Sequence, residues 1–320
     1  MTVITKDISF AINTINDGKV VAIPTETVYG LAANIFDESA VKKIFKIKNR
    51  PNNNPLIVHL KSAEQLNEVA KDIPPLAAQL ASHFWPGALT LVLKKQDCIS
   101  NWVTSNKNTV AIRVPNHPLT LELLRHLNFP LAAPSANPFG SISPTNALHV
   151  YDYFQNDIDV ILDGGNCKNG IESTIIGFEE EQPILYRYGA IPIEEIEKII
   201  GPIKVHTKDN SAPSAPGMFT KHYAPNTKSF LVEDIEKELE SIQFKKIGVL
   251  QFQNKLESPR PFVQYILSPT GDFKEASKNL YSYLHELDAL GLDVLLIEKL
   301  PNIHLGKSIN DRLTRAVAEL

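Results

Sequence analysis

Through its first 200 residues this chain alternates short apolar, β-branched runs with helix-period segments, and few folds accommodate that alternation. Lys19–Pro24 and Pro55–Leu60 read as strands, and Thr25–Gly30 reads as a tight turn after the first. Asp37 is placed to cap a helix through Val41, Ile44, Phe45 and Ile47 that stops before Pro51, and Ser62-Ala-Glu-Gln65 forms a capping box for the next. Further strands are expected at Leu89–Leu93, Thr109–Val114, Pro130–Ala133, Val160–Leu162, Ser173–Phe178 and Ile184–Arg187. Helices are expected at Leu119–Leu127 and at Ile193–Ile200, the latter closed by Gly201. The pattern stops between Gly201 and Lys228, where Pro202, Pro213, Pro216 and Pro225 stand among Ser211, Ser214 and Gly217; by composition this is a linker. Beyond it, strands at Ser229–Val232, Ile247–Phe252, Val263–Leu267 and Val294–Ile297, a helix over Asp272–Leu290 and a last one capped by Ser308 predict a smaller α/β domain. The expected organisation is a mixed α/β sheet with covering helices in 1–200, a Pro-rich linker in 201–228 and a small α/β domain in 229–320.

Charge points to the ligand class. The net charge is −4, and residues 1–200 carry 17 Lys+Arg against 21 Asp+Glu, a balance unlike that of a dedicated nucleic-acid binder. Yet from Ser39 to Ala63 there is no acid, while Lys42, Lys43, Lys46, Lys48, Arg50 and Lys61 fall in that window. A basic patch inside an acidic domain suits a small anion better than a long polyanion. Lys42 and Lys43 read as a solvated helix face; Lys48 and Arg50, where the helix ends, read as the grip. Cys98 and Cys167 cannot form a disulfide framework, so a reducing compartment is expected, and no window is apolar enough for a membrane span.

General fingerprints are missing. There is no GxGxxG, and Gly165–Gly170 fails as a P-loop because Ile171-Glu172 come after it. No His/Cys cluster has metal-site spacing and no GxSxG elbow occurs. What stands in their place is a set of polar segments at strand ends, where α/β proteins hold ligands: Pro24–Gly30, Lys48–His59, Phe84–Thr90, Thr109–Pro115, Ala133–Asn137 with Ser143, and Glu172–Thr174 with Arg187. Each is weak alone; Arg113 could be a solvated strand residue, His59 a core imidazole, and Ser135 and Asn137 the bonds of a turn. Trp85-Pro86-Gly87 reads as a packing corner without chemistry.

Together and in this order, the KxRP…PLIVH, FWPGALT, TVAIRVP and PSAN segments resemble the YrdC family of threonylcarbamoyl-AMP synthases in its long form. The resemblance extends through Pro216-Gly-Met218, His222-Tyr-Ala-Pro225 and Asn310–Ala316. Gly177 and Phe219-Thr220 depart from the family's usual residues. The resemblance implies a YrdC-like twisted sheet joined to a Rossmann-like C-terminal domain. The implied cytoplasmic enzyme joins L-threonine, bicarbonate or CO2 and ATP, with Mg2+, into L-threonylcarbamoyl-AMP and releases pyrophosphate. The product would pass to a tRNA threonylcarbamoyl transferase machinery modifying tRNAs that read ANN codons, with a weak tRNA contact by this chain among its implications. It further implies Lys48 and Arg50 as catalytic; Thr27, His59, Arg113, Ala133 and Ser173 as threonine-binding; and Arg50, Asn54, Thr109, Ser135, Ser143, Arg187 and Tyr223 as ATP-binding, with Tyr223 reaching over the nucleotide from a linker that doubles as a lid. The competing readings are a non-catalytic RNA-binding module and a carbamoyl-adenylate-forming relative from hydrogenase maturation, whose extra zinc-finger segments two cysteines cannot supply.

Overall fold

The structure is a computed structural model that describes residues 1–206 and 222–317. Most of the linker, including Pro213, Pro216-Gly-Met218 and Phe219-Thr220, lies outside the described residues.

Eleven strands form one mixed sheet: β1 (Val3–Thr5), β2 (Val21–Ile23), β3 (Gly30–Asn34), β4 (Ile57–His59), β5 (Leu89–Lys94), β6 (Thr109–Arg113), β7 (Leu131–Ala132), β8 (Val160–Leu162), β9 (Thr174–Glu179), β10 (Gln182–Arg187) and β11 (Lys204–Val205). Their spatial order is β1-β8-β2-β3-β7-β4-β6-β5-β9-β10-β11. The inner strands are buried on both faces, so they read as continuous apolar runs rather than alternating ones. Helices cover the sheet, and their apolar stripes (Val41, Ile44 and Phe45; Leu80 and Ala81; Val150 and Phe154) pack against Leu31, Val58, Leu91 and Ile112 in a common core.

Local chemistry explains the ends of the helix before the site. Asp37 accepts from the Ala40 N–H and starts Glu38–Lys48; Asn49 stops it in the left-handed region (φ 50°), where its short polar side chain tolerates a conformation most residues avoid. The Ser62 box is not made: Ser62 makes no side-chain cap bond. Gln65 reaches back to the Lys61 N–H rather than to Ser62, and the chain continues as a 3-10 turn and the four-residue helix Leu66–Val69. Three expectations change. The turn expected at Thr25–Gly30 leads directly into β3, whose Gly-Leu-Ala-Ala sequence carries no β-branched signal. Within the linker, which composition marks as patternless, Lys204 and Val205 pair with Ile184 and Leu185 and extend the sheet by an edge strand. Ser308 does not cap the last helix; it lies inside Leu305–Ala316 and donates to the Gly189 carbonyl.

Four parallel strands make the second sheet, β12 (Ser229–Val232), β13 (Ile247–Gln251), β14 (Val263–Ile266) and β15 (Val294–Glu298), in the order β12-β15-β13-β14. The Phe273–Asp288 and Leu305–Ala316 helices pack on it through Leu280, Leu284, Ile309 and Leu313, and the same cluster takes in Val28, Ile142 and Ile171 from the first sheet's side. The two parts therefore share a core. The contact is close: a Cβ on Gly170 (φ 73°) would lie 2.4 Å from the Ser277 carbonyl oxygen, so only glycine serves there. Ser277 Oγ donates to Asn169 O, Lys307 pairs with Glu194 at 2.7 Å, and the His285 and His149 rings stack at 3.9 Å.

Candidate active site

The turn after β2 is held by Thr25, whose hydroxyl accepts from the Thr27 and Val28 N–H groups and donates to Val28 O. This fixes Thr27 against the end of β6. There Arg113, 4% exposed, donates Nη1 to Thr27 Oγ1 (2.9 Å) and Nε to Gly87 O (3.1 Å), and Nη2 forms an ion pair with Glu26 (2.6 Å). Of the readings left open for Arg113, the solvated strand residue is excluded: the side chain is buried and charge-paired. The Trp85–Pro86 bond is cis, and the corner given no chemistry contributes the Gly87 carbonyl that orients the guanidinium.

Parallel register places His59 of β4 beside Arg113 of β6. Burial, and then the Arg113 charge, lower its pKa to about 3, so the ring is neutral at physiological pH. Its Nδ1 lies 3.2 Å from Ile57 O, a carbonyl that can only accept; the proton therefore sits on Nδ1 and Nε2 is an acceptor. Ile57 O also accepts from the Ala133 N–H, so of Ala133's backbone pair the amide is already taken.

A second neighbourhood surrounds Arg50 and Arg187. Arg50 comes just after the Asn49 cap and donates Nε to Asn54 O and Nη2 to Pro55 O; burial and then the Arg187 charge push its pKa down to about 9. Arg187 ends β10 just after a bulge, which re-aims its side chain so that Nε and Nη2 both donate to Ser173 O, with Nη2 also 3.1 Å from Ser173 Oγ. Ser173 Oγ meets Thr90 Oγ1 at 2.7 Å. Tyr223 is 1% exposed and takes φ 67°, a conformation costing about 1–3 kcal/mol in a non-glycine residue. It is held there by Ala224 N–H donating to Gly140 O, His222 N–H donating to Arg315 O, and its ring stacking on Tyr281 at 5.7 Å. Burial, then Arg50 and Lys48, keep His222 well below the usual imidazole range.

These neighbourhoods open on one cleft. Thr27, His59, Arg113, Ala133 and Ser173 line it, as do Arg50, Ser135, Arg187 and Tyr223. Four candidates stand apart from its wall. Lys48 is 1% exposed, its amine donates to Ser135 O (2.6 Å) and to Asn137 O, and burial followed by the Arg50 charge drives its pKa well down. It braces the Ser135–Asn137 turn from behind. Asn54 is fully buried with both side-chain polar atoms unpaired. Thr109 begins β6, about 13 Å along the strand from Arg113. Among the described residues Ser143 hydrogen-bonds the wall through Glu172, whose Oε1 accepts its hydroxyl at 2.6 Å.

Sequence reasoning missed Glu26, Thr25, Thr90 and Glu172 as site residues. Glu172 and Glu26 each sit beside a threonine or serine at a strand end, a pattern any surface turn shares; nothing local announces a buried acid. Among the described residues no three His, Cys, Asp or Glu side chains are grouped to hold a metal ion. No helix among them is long and apolar enough to cross a membrane.

Comparison with known proteins agrees with this architecture. Residues 13–189 match the family described as telomere recombination (Sua5, YciO, YrdC), and residues 191–318 match the threonylcarbamoyl-AMP synthase C-terminal domain. A threonylcarbamoyl-AMP synthase of Pyrococcus abyssi is 42% identical, covering 97% of this chain and 93% of its own. One of Bacillus subtilis is 38% identical over 94% and 90%. The crystal structure of P. abyssi Sua5 complexed with L-threonine superposes with a TM-score of 0.90 at 39% identity, covering 99% of both chains. With both family models matched and relatives this similar over nearly the whole chain, the protein is a nucleotidyltransferase-type enzyme, and the chain belongs to the Sua5/YrdC family of threonylcarbamoyl-AMP synthases.

Proposed function

We propose that this protein makes L-threonylcarbamoyl-AMP from L-threonine, bicarbonate or CO2 and ATP, releasing pyrophosphate. The observation that carries the reading is the joining, in one cleft, of the Thr27–His59–Arg113 neighbourhood with the Arg50–Arg187–Tyr223 neighbourhood. The first suits an amino acid. Arg113 offers a carboxylate its guanidinium, and neutral His59 accepts through Nε2 without adding a second positive charge near the substrate ammonium. The second suits phosphates, with two buried arginines and an aromatic ring.

Between them the chemistry asks for little covalent help. The threonine amine adds to CO2 to give a carbamate, whose oxygen attacks the α-phosphorus as the bond to pyrophosphate breaks. Holding two anions together and neutralising the leaving group are tasks of position and charge. In keeping with that, neither serine on the cleft wall is hydrogen-bonded to a histidine among the described residues. His59 is too weak a base to strip the ammonium; it orients the amine, and solvent takes the proton. Both acids by the cleft are already paired, Glu26 with Arg113 and Glu172 with Arg312, so a Mg2+ ion would enter on the phosphates of ATP and draw its ligands from them and water. Arg50, Asn54, Ser135, Ser143, Arg187 and Tyr223 belong to the nucleotide end, and Thr27, His59, Arg113, the Ala133 backbone and Ser173 to the threonine end. Lys48 acts by fixing the Ser135–Asn137 turn. The lid implied for the linker lies mostly outside the described residues; Tyr223, near its described end, lines the cleft.

The product would be consumed in the cytoplasm by the machinery that modifies tRNAs reading ANN codons. A role as a plain RNA-binding module is disfavoured because Lys48 and Arg50 are buried and Lys42 is paired with Glu38, which leaves the basic run no continuous face for a polyanion. Pyrophosphate release from ATP, measured with and without L-threonine and bicarbonate, tests the proposal. Release must depend on both; release indifferent to threonine refutes it.

A further inference from the structure

The Asn310–Ala316 motif of the last helix is unused by the chemistry above, yet it touches the cleft's wall from behind through Glu172 and Tyr223. Asn310 closes on the Leu300 backbone and is structural. Arg312 is different: it is 1% exposed and leaves its own domain. Its Nε donates to Glu172 Oε2 (3.1 Å), its Nη1 to Tyr188 O, and its guanidinium lies 5.7 Å from the Tyr223 ring centroid. Tyr281, from the preceding helix, reaches both Glu172 oxygens at 3.1 and 3.0 Å, while Ser143 takes Oε1 from the other side. His285 Nε2 lies 3.2 Å from Ser143 O, so the C-terminal domain also touches that serine.

Glu172 shares the cleft wall with Arg50 and Arg187. A carboxylate in that position is a rival for any triphosphate, since it can pair with the same guanidinium groups. In this structure its oxygens are instead drawn onto Arg312 and Tyr281. Burial opposes its ionisation, and Arg312, followed by Arg187, outweighs burial and holds its pKa below the ordinary carboxylate value. Given the synthase activity proposed above, we infer that Arg312 is a positioning residue for the nucleotide end: it turns the Glu172 carboxylate toward the C-terminal domain and supports the Tyr223 ring, so that a triphosphate meets Arg50 and Arg187 without a competing anion. The C-terminal domain thereby completes the site from outside it, through two side chains that touch no substrate.

Three variants test this: Arg312→Gln, Tyr281→Phe, and Arg312→Gln combined with Glu172→Gln. Arg312→Gln should raise the KM for ATP about tenfold or more and leave that for L-threonine within about twofold, because only the phosphate end gains a rival charge. Tyr281→Phe should move the same constant in the same direction by about threefold. The double variant should recover most of the ATP affinity lost in Arg312→Gln, since the rival anion is gone; a purely packing role predicts no such recovery. Where Arg312→Gln fails to fold, Tyr281→Phe and the double variant, which leaves no unpaired buried charge, carry the same contrast. Calorimetric binding of a non-hydrolysable ATP analogue reads it without turnover, so a wild-type protein lacking threonine-dependent pyrophosphate release would overturn the activity while the positioning role is still measured. Unchanged nucleotide affinity in folded Arg312→Gln or Tyr281→Phe, or a double variant as impaired as the single, overturns the inference.

Discussion

Mild acid should destabilise this protein before most of its carboxylates titrate, because several imidazoles are folded in the neutral form. His59 is held to about 3 by burial and then Arg113, His149 to about 3 by burial and then His285, and His285 to about 4 chiefly by burial, all from an ordinary value of 6.5. At pH 5 each is uncharged in the native state and protonated in the unfolded chain. The unfolded state therefore binds more protons, and stability falls as the pH drops from about 6.5 toward the folded values. Between pH 7.5 and 5 each such imidazole removes about 2 kcal/mol, and the three together about 6 kcal/mol. Against a usual margin of about 5–15 kcal/mol that is a large fraction. His59 stands apart from the stacked His149–His285 pair, so it can be subtracted cleanly. Gln in its place can still donate to Ile57 O and has no proton to gain. On unfolding in guanidinium at pH 5, followed with a pH-stat, His59→Gln should take up about one proton fewer than the wild type. Its loss of stability between pH 7.5 and 5, from denaturant melts, should be smaller by about 2 kcal/mol. Equal proton uptake by the two proteins would refute the buried, neutral imidazole and the tautomer argued from it.

Arg50→Ala should lower kcat/KM for pyrophosphate release about a hundredfold or more while far-UV circular dichroism stays native, since a buried phosphate-end guanidinium is lost; near-normal turnover would return the basic run to a surface feature. Lys48→Met should act mainly on stability, by about 2–3 kcal/mol in denaturant melts, because Ser135 O and Asn137 O lose their donor; an unshifted melt would contradict the bracing role. Removing everything after Gly201 should abolish or sharply reduce activity, and a fully active truncation would refute both the lid and the contribution of the C-terminal domain.

What the sequence discloses is mostly local. Asp37 and Asp272 announce their helices because a cap needs only neighbours, and both accept from N–H groups of the first turn. The apolar runs at Leu89–Lys94 and Val294–Glu298 announce strands for the same reason. The helix at Pro75–Phe84 is hard to read because Pro75 and a string of alanines carry little amphipathic contrast, and β3 is hard to read because its Leu-Ala-Ala run is set by its neighbours rather than by propensity. At the site, the identities of Arg113, His59 and Arg187 are legible from motif order, but their partners are not. The Glu26–Arg113 pair spans 87 positions and Glu172–Arg312 spans 140. Charge counting places Lys48 with Arg50 as one grip, whereas the fold separates them. The lysine amine points at two carbonyls behind the turn, and the arginine lines the cleft, a difference of direction that composition cannot encode.

Ser173 begins the β9–β10 hairpin and Arg187 ends it, hydrogen-bonded across its open mouth, with a bulge between Leu185 and Arg187. In the proposed function one residue belongs to the threonine end and the other to the nucleotide end, so a single hairpin would work as a caliper for the gap between the two substrates. Its setting depends on backbone register alone. Deleting Tyr186 would turn the bulge into a regular ladder, with Arg187 still opposite Ile175 but without the offset that aims its guanidinium at the Ser173 carbonyl.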